Sequence, residues 1–144
     1  MKTFVLSPSV NKGANLQALY LSSRNWLSYI EFFEDEIKFF KKLLMKYFIL
    51  EINDDSINRI NIINAEIKRL EREKNQVLND IFCYQSNLKA TLEDMMQLSE
   101  QYLTVQHNDI QEKVKALHPV LDQIKQRLYT ITELEIRERN RLSE

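Results

Sequence analysis

The chain has 144 residues, of which 44% are hydrophobic and 28% charged, with one glycine, two prolines and one cysteine. Twenty lysines and arginines against 21 aspartates and glutamates leave a formal net charge of -1, which excludes the overall positive field that holds nucleic acid or an anionic membrane. One cysteine excludes an intrachain disulfide, and no apolar run reaches the roughly 20 residues of a membrane helix. We therefore expect one cytoplasmic, all-α domain that binds neither nucleic acid nor membrane.

The chain opens with a segment that contains two of its three helix breakers, Pro8 and Gly13. We interpret residues 1–20 as an N-terminal arm for this reason. Ser22 or Ser23 can cap the first strong helix, which we expect to span about residues 22–50.

This first helix has an unusually wide apolar surface. Its seam follows the 4-3 spacing of a coiled coil, with the residues Trp26, Ile30, Phe33, Ile37, Phe40, Leu44 and Tyr47. Further large apolar side chains lie beside that seam and widen the apolar arc to roughly 200° at about 100° per residue. Such an arc needs cover from two directions. The candidate interface residues within it are Tyr29, Phe32, Phe39, Leu43 and Phe48.

A second helix is predicted after the cap-forming residues Asn53, Asp54, Asp55 and Ser56. A heptad register counted from Ile60 continues without a slip to Val105, so we expect one helix over about residues 55–105. Two polar residues, Lys74 and Thr91, occupy core positions, and we interpret them as register-setting. The alternative is a break near residues 86–87, which would give four helices.

The last helix is expected over about residues 109–140, with Asn108 or Asp109 as its cap. Its seam is narrow and aliphatic: Ile110, Val114, Leu117, Leu121, Ile124, Leu128 and Ile131. Pro119 falls on the side away from this seam, where we expect a kink or a restart that preserves the stripe.

Three helices of such different lengths predict an antiparallel bundle or coiled coil in which they cannot match end to end. Part of the wide arc on the first helix would then have no cover from its own chain. An exposed apolar surface of this kind marks an interface, and a two-fold homodimer would cover it. We therefore expect a protein interaction or structural module that self-associates, and an unidentified protein partner is also possible. The alternative is that residues 1–20 and the overlap of the three helices cover the arc.

Motifs for chemistry are missing from the sequence. No histidine has a glutamate three residues before it, as helical carboxylate-bridged metal sites require, and a single glycine cannot build a phosphate loop. His107 and His118 would be some 16 Å apart along a helix, so we interpret them as boundary residues. Cys83 is interpreted as a small core residue. We expect no catalytic residue, no metal ligand and no cofactor; the alternative is a helical bundle that binds a metal or a ligand.

The run from Asn25 to Phe40, NWLSYIEFFEDEIKFF, resembles the opening helix of an uncharacterised group of small bacterial all-helical proteins. The shared pattern is a tryptophan followed by an aromatic and acidic stretch that ends in Asp-Glu-Ile. The resemblance implies a helical bundle. It assigns no functional residue, because no activity is attached to that group.

Overall fold

The computed structural model describes residues 8–50, 54–95 and 97–143, with side chains over 13–46, 55–95 and 97–134 and at Arg137 and Arg141. Three helices pack against each other: α1 (Pro8–Leu50), α2 (Asp54–Leu92) and α3 (Glu100–Ser143). The described residues contain no strand. The expected all-α bundle of three helices is therefore confirmed. None of these helices, over the described residues, is both long and apolar enough to cross a membrane.

The three helices are nearly equal in length, with 43, 39 and 44 residues. The expectation of one long helix flanked by shorter ones was therefore wrong. At the amino-terminal side, α1 begins at Pro8 and not at Ser22 or Ser23, and Leu16 is buried. A proline is tolerated in a first helical turn, where its missing N–H has no partner in any case. Residues 8–20 therefore extend α1, whereas residues 1–7 of the expected arm lie outside the described part.

The end of α2 at Leu92 corrects the expected continuation to residue 105. The amide of Met95 donates to the carbonyl of Ala90 at 2.8 Å, and the amide of Asp94 donates to the carbonyl of Thr91 at 3.2 Å. These are the two hydrogen bonds of a Schellman motif, with Asp94 in the left-handed region at φ 58°. The alternative break near residues 86–87 is wrong as well, because α2 is helical through both.

The start of α3 is set by Ser99, whose hydroxyl accepts a hydrogen bond from the amide of Tyr102 at 3.0 Å. This is an N-cap, so the expected start at residue 109 was wrong. Three residues placed in the seam of the expected long helix are instead exposed: Met95, Tyr102 and Val105. Leu103 and His107 are buried in their place, and they extend the predicted 4-3 stripe of the last helix backwards from Ile110.

Pro119 lies inside α3, which continues through it to Ser143. The expected restart is therefore absent. The seam residues on either side, Leu117 and Leu121, are both buried. Pro119 itself is exposed, as its position opposite the seam predicted.

The chain divides into two compact units, each with a segment of all three helices. The first unit combines the chain up to Ile30 with Asn75–Lys115, and the second combines Glu31–Lys74 with the chain from Ala116 onwards. The apolar core of the first unit is Leu16, Trp26, Ile30, Val77, Ile81, Tyr84, Leu88, Leu103, Ile110 and Val114. That of the second is Phe33, Ile37, Phe40, Leu44, Ile60, Ile63, Ile67, Leu70, Leu117, Leu121, Ile124, Leu128 and Ile131. The expectation of a single folding domain stays a prediction.

The left-handed backbone at Asp94 makes a stability prediction. Glycine adopts this conformation without the steric cost that a side chain brings, so Asp94→Gly should raise the free energy of unfolding by roughly 0.5 to 1 kcal/mol. Urea titration followed by circular dichroism measures the change. Glu93→Gly is the matched control, since residue 93 lacks a positive φ, and it should lower stability. Equal effects of the two changes would contradict the assignment.

Candidate functional site

The apolar surface of α1 is divided by two pairs of adjacent phenylalanines, Phe32-Phe33 and Phe39-Phe40. Consecutive helical residues point about 100° apart, so the two members of a pair cannot both face the same neighbour. Phe33 and Phe40 are buried, whereas Phe32 is 47% exposed and Phe39 is 54% exposed. Within each pair the ring centroids lie 6.0 and 6.3 Å apart. One ring of each pair thus fills the core and supports the other, which faces outward.

The five candidate interface residues have different positions in the structure. Phe32 and Phe39 are exposed and Leu43 is half-buried, all in the second unit. Because they are separated by seven and four residues, they share one side of α1. We call these three residues the aromatic face. Tyr29 is exposed in the first unit, and the side chain of Phe48 lies outside the described residues.

Lys74 is a buried cation in the second unit, only 8% exposed. Its Nζ lies 3.3 Å from Oε2 of Glu34, a residue of α1 whose side chain is 42% exposed. An ammonium group out of water is costly unless it is paired, and the partner here comes from a different helix. The contact therefore links α1 to α2, and the register-setting role of Lys74 stays a prediction.

Thr91, the other polar core residue, is also buried. Its hydroxyl donates to the carbonyl of Asn87, one turn earlier in the same helix, at 2.7 Å. A hydrogen bond within one helix satisfies the hydroxyl without reference to a neighbouring helix. The structure therefore gives Thr91 a local partner, in contrast to Lys74, and its register-setting role stays a prediction.

A layer of polar and aromatic side chains crosses the core of the first unit. Oη of Tyr84 and Nδ1 of His107 share a buried hydrogen bond of 2.9 Å, and the ring of Trp26 lies 4.6 Å from that of His107 between centroids. Beside them, Nε2 of Gln85 donates to the hydroxyl of the buried Ser23 at 3.0 Å. We call the three ring residues the polar layer, which joins α1, α2 and α3.

Burial controls the protonation of the polar layer. Desolvation raises the pKa of Tyr84 well above its ordinary value and lowers the pKa of His107. Near pH 7 the layer is therefore an uncharged, hydrogen-bonded core element. Two surface cavities in the second unit, of about 360 and 150 Å³, are lined by other residues, so neither gives a substrate access to this histidine.

Sequence reasoning missed the polar layer because His107 was assigned to a helix boundary. With 6% of its surface exposed, His107 is a core residue. The signal was present: the 4-3 stripe from Ile110 places residues 107 and 103 on the same side of the helix. His118, by contrast, is exposed, with Nε2 3.2 Å from Oδ2 of Asp122.

The remaining residues considered for chemistry do not converge on a site. Cys83 is exposed, so its interpretation as a core residue was wrong. Over the described part of the chain, no three His, Cys, Asp or Glu side chains come together in a way that could hold a metal ion.

The lowered pKa of His107 predicts a loss of stability in acid. Above the ordinary histidine pKa of about 6.5, both folded and unfolded states are neutral and stability does not depend on this group. As the pH falls below that value, the unfolded chain binds a proton that the folded chain resists, so the free energy of unfolding decreases. Urea unfolding at steps from pH 7 to pH 5 should show this loss in the wild type. His107→Gln, which cannot titrate, should reduce it, and parallel curves would contradict the prediction.

The pairing of Lys74 with Glu34 predicts non-additive effects of substitution. Glu34→Gln leaves a buried ammonium without its carboxylate and should cost about 1 kcal/mol, since Glu34 is partly exposed. Lys74→Met replaces the cation with an apolar chain of similar length and should leave stability equal or higher. In the Lys74→Met background, Glu34→Gln should then cost nothing. A double-mutant cycle by urea unfolding measures this coupling, and equal costs in both backgrounds would show that the pair is not energetically linked.

Comparisons of this chain with protein-family models, with curated proteins and with solved structures found no match in any of the three. The resemblance noted over residues 25–40 thus rests on those residues alone.

Proposed function

We propose that the protein is a non-catalytic interaction module that self-associates through the aromatic face of α1. The observation that carries the proposal is the half-exposure of Phe32 and Phe39 on one side of a helix, seven residues apart. A single exposed apolar residue is ordinary on a protein surface, but aromatic rings repeated at a heptad spacing are typical of a helix that packs against another helix.

Helix length gives no basis for dimerisation, because the three helices are nearly equal in length and not unequal as expected. What now supports the proposal is angular: the seam of α1 already fills the core with Phe33 and Phe40, so their neighbours have no place inside the same unit. The wide apolar arc, and not the end of a helix, supplies the interface.

The area involved predicts a weak association. A phenylalanine buries on the order of 150–250 Å², so four half-exposed rings in a dimer offer roughly 400 Å² of apolar surface. At about 25 cal/mol per Å² this gives about 10 kcal/mol, against an association cost of roughly 4 to 15 kcal/mol. With the lower association cost, about 6 kcal/mol remains, which corresponds to a reversible dimer with a dissociation constant of tens of micromolar. The four rings are only part of the surface that a dimer would bury, since weak transient complexes bury up to about 1,200 Å² in total.

Binding of a small ligand is the competing function. The larger cavity, about 360 Å³, is lined by Lys41, Leu44 and Met45 of α1 and by Ile60, Asn61 and Asn64 of α2. Its volume falls at the lower end of ligand sites, which are usually enclosed and mostly apolar. The aromatic face presents the more coherent apolar surface, so self-association is the function we favour.

The test is removal of the exposed rings with the buried ones left in place. Phe32→Ser combined with Phe39→Ser should abolish concentration-dependent dimerisation of the full chain, measured by sedimentation velocity from about 1 to 200 µM. Helical content by circular dichroism should stay close to the wild type, because Phe33 and Phe40 still fill the core. A monomeric wild type over this range would disprove the proposal.

A matched control uses two apolar residues of equal exposure on another helix. Phe82 is 50% exposed and Ile62 is 51% exposed, both on α2. Their joint substitution by serine removes similar apolar surface away from α1 and should leave dimerisation unchanged.

One outcome would contradict the proposal in another way. If the chain with Phe32→Ser and Phe39→Ser loses its helical signal as a monomer, these rings belong to the core and the proposal fails.

A further inference from the structure

The aromatic face is bordered on one side by four charged residues in a distinctive order. Glu31 and Asp35 come first along α1, and Lys42 and Lys46 follow. At about 100° per residue, these four lie on the same flank of the helix, adjacent to Phe32 and Phe39. The flank is therefore acidic at one end and basic at the other.

The bundle uses other charges of α1 for its own ion pairs. In the second unit, Glu34 pairs with Lys74, Glu36 with Lys125 at 3.8 Å, and Lys41 with Glu71 at 2.7 Å. By contrast, the four flank residues Glu31, Asp35, Lys42 and Lys46 are in no ion pair among the described residues. The charges that reach neighbouring helices are paired within the chain, whereas the four beside the exposed rings are in none of these ion pairs.

The order of these four charges is complementary to itself when a second copy of the helix runs in the opposite direction. Asp35 and Lys42 are centred on a point midway between Lys38 and Phe39, and so are Glu31 and Lys46. A two-fold axis through that point, perpendicular to the helix, would place each acidic residue beside a lysine of the second copy. In an antiparallel pair the same flank of both helices meets, so all four contacts with opposite charges form at once. Phe39 of each copy would then lie next to the axis.

A parallel pair gains none of these contacts. With the two helices in the same direction and in register, opposite flanks meet, so Glu31, Asp35, Lys42 and Lys46 of one copy lie away from those of the other. The helix dipoles also favour the antiparallel direction.

We propose that the second copy packs antiparallel on the aromatic face, with Asp35 against Lys42 and Glu31 against Lys46 across a two-fold axis between Lys38 and Phe39. This inference rests on the proposed self-association and specifies its partner and direction. The aromatic rings supply the attraction, and the flanking charges select the orientation.

The orientation can be measured with one spin label per chain. In a Cys83→Ser background, Glu31→Cys carries the label. Double electron–electron resonance measures a long distance between the labels of the two copies, and dipolar broadening of the continuous-wave spectrum measures a short one. Residues 31 and 46 are 15 apart, so at about 1.5 Å per residue the antiparallel pair separates the labels by about 22 Å along the axis. With the helix axes about 9 Å apart, the two labels of the antiparallel pair are separated by about 24 Å in all, whereas those of a parallel pair are separated by about 9 Å. Lys38→Cys, next to the axis, is the control that should give a short distance.

Charge reversal gives an independent test by sedimentation. Asp35→Lys and Lys42→Asp should each weaken dimerisation by about tenfold, because two equivalent contacts become repulsive. The double reversal should return the dissociation constant to within about threefold of the wild type. Lys68→Asp, on α2, makes the same change of charge away from the face and should have no effect. Glu31→Lys and Lys46→Glu should likewise weaken dimerisation singly and restore it together. This second pair keeps the test decisive if a variant of the first pair does not fold.

The outcomes separate the two proposals. Labels at about 24 Å with rescue by the double reversal support the antiparallel pair. Labels at about 9 Å, or a dimer indifferent to all charge reversals, would overturn the antiparallel pairing and leave self-association standing. A chain that stays monomeric, with no dipolar signal between copies, would overturn the proposed function itself.

Discussion

The architecture of this protein depends on an angular constraint: a helix packed against two neighbours can bury only part of its circumference. α1 carries more large apolar side chains than that part can hold. Adjacent residues are about 100° apart, so Phe33 and Phe40 enter the core and Phe32 and Phe39 do not. The surplus is therefore placed on the surface by the same geometry that builds the core. Both the proposed self-association and the charges that would direct it follow from this division.

Much of the core was predictable because apolar residues at 4-3 spacing lie on one side of a helix, the side that packs against its neighbours. The seam of α1 from Trp26 to Leu44 and that of α3 from Ile110 to Ile131 are buried where the sequence placed them. Along α2 the prediction also holds from Ile60 to Thr91. In these stretches the spacing of apolar residues has one physical cause, contact with neighbouring helices, and no competing signal.

The end of α2 was not predictable from spacing. The seven-residue pattern continues through Met95 and Val105, but a helix ends where its backbone hydrogen bonds find other partners. Asp94 in the left-handed region and the cap at Ser99 supply those partners. Neither position holds the glycine or proline that usually marks such a break. His107 was missed for the same reason, since its stripe begins before the expected start of the helix. Phe32 and Phe39 of the candidate interface are exposed. Their role in an interface stays a prediction, and the expected difference in helix length, on which it first depended, is not found.

The paired phenylalanines have a consequence for the rotation of α1 about its own axis. A turn of about 100° would replace Phe33, Phe40 and Leu44 in the core by Phe32, Phe39 and Leu43. The helix thus has a second, similar set of apolar residues, each one position before the first. At three other seam positions the same turn would exchange Trp26 for Asn25, Ile37 for Glu36 and Tyr47 for Lys46, and burial of these polar or charged groups is costly. In the observed rotation Glu36 instead lies 3.8 Å from Lys125. A few polar residues beside the seam thus distinguish two otherwise similar packings of α1, and their energetic role is to disfavour the alternative rotation.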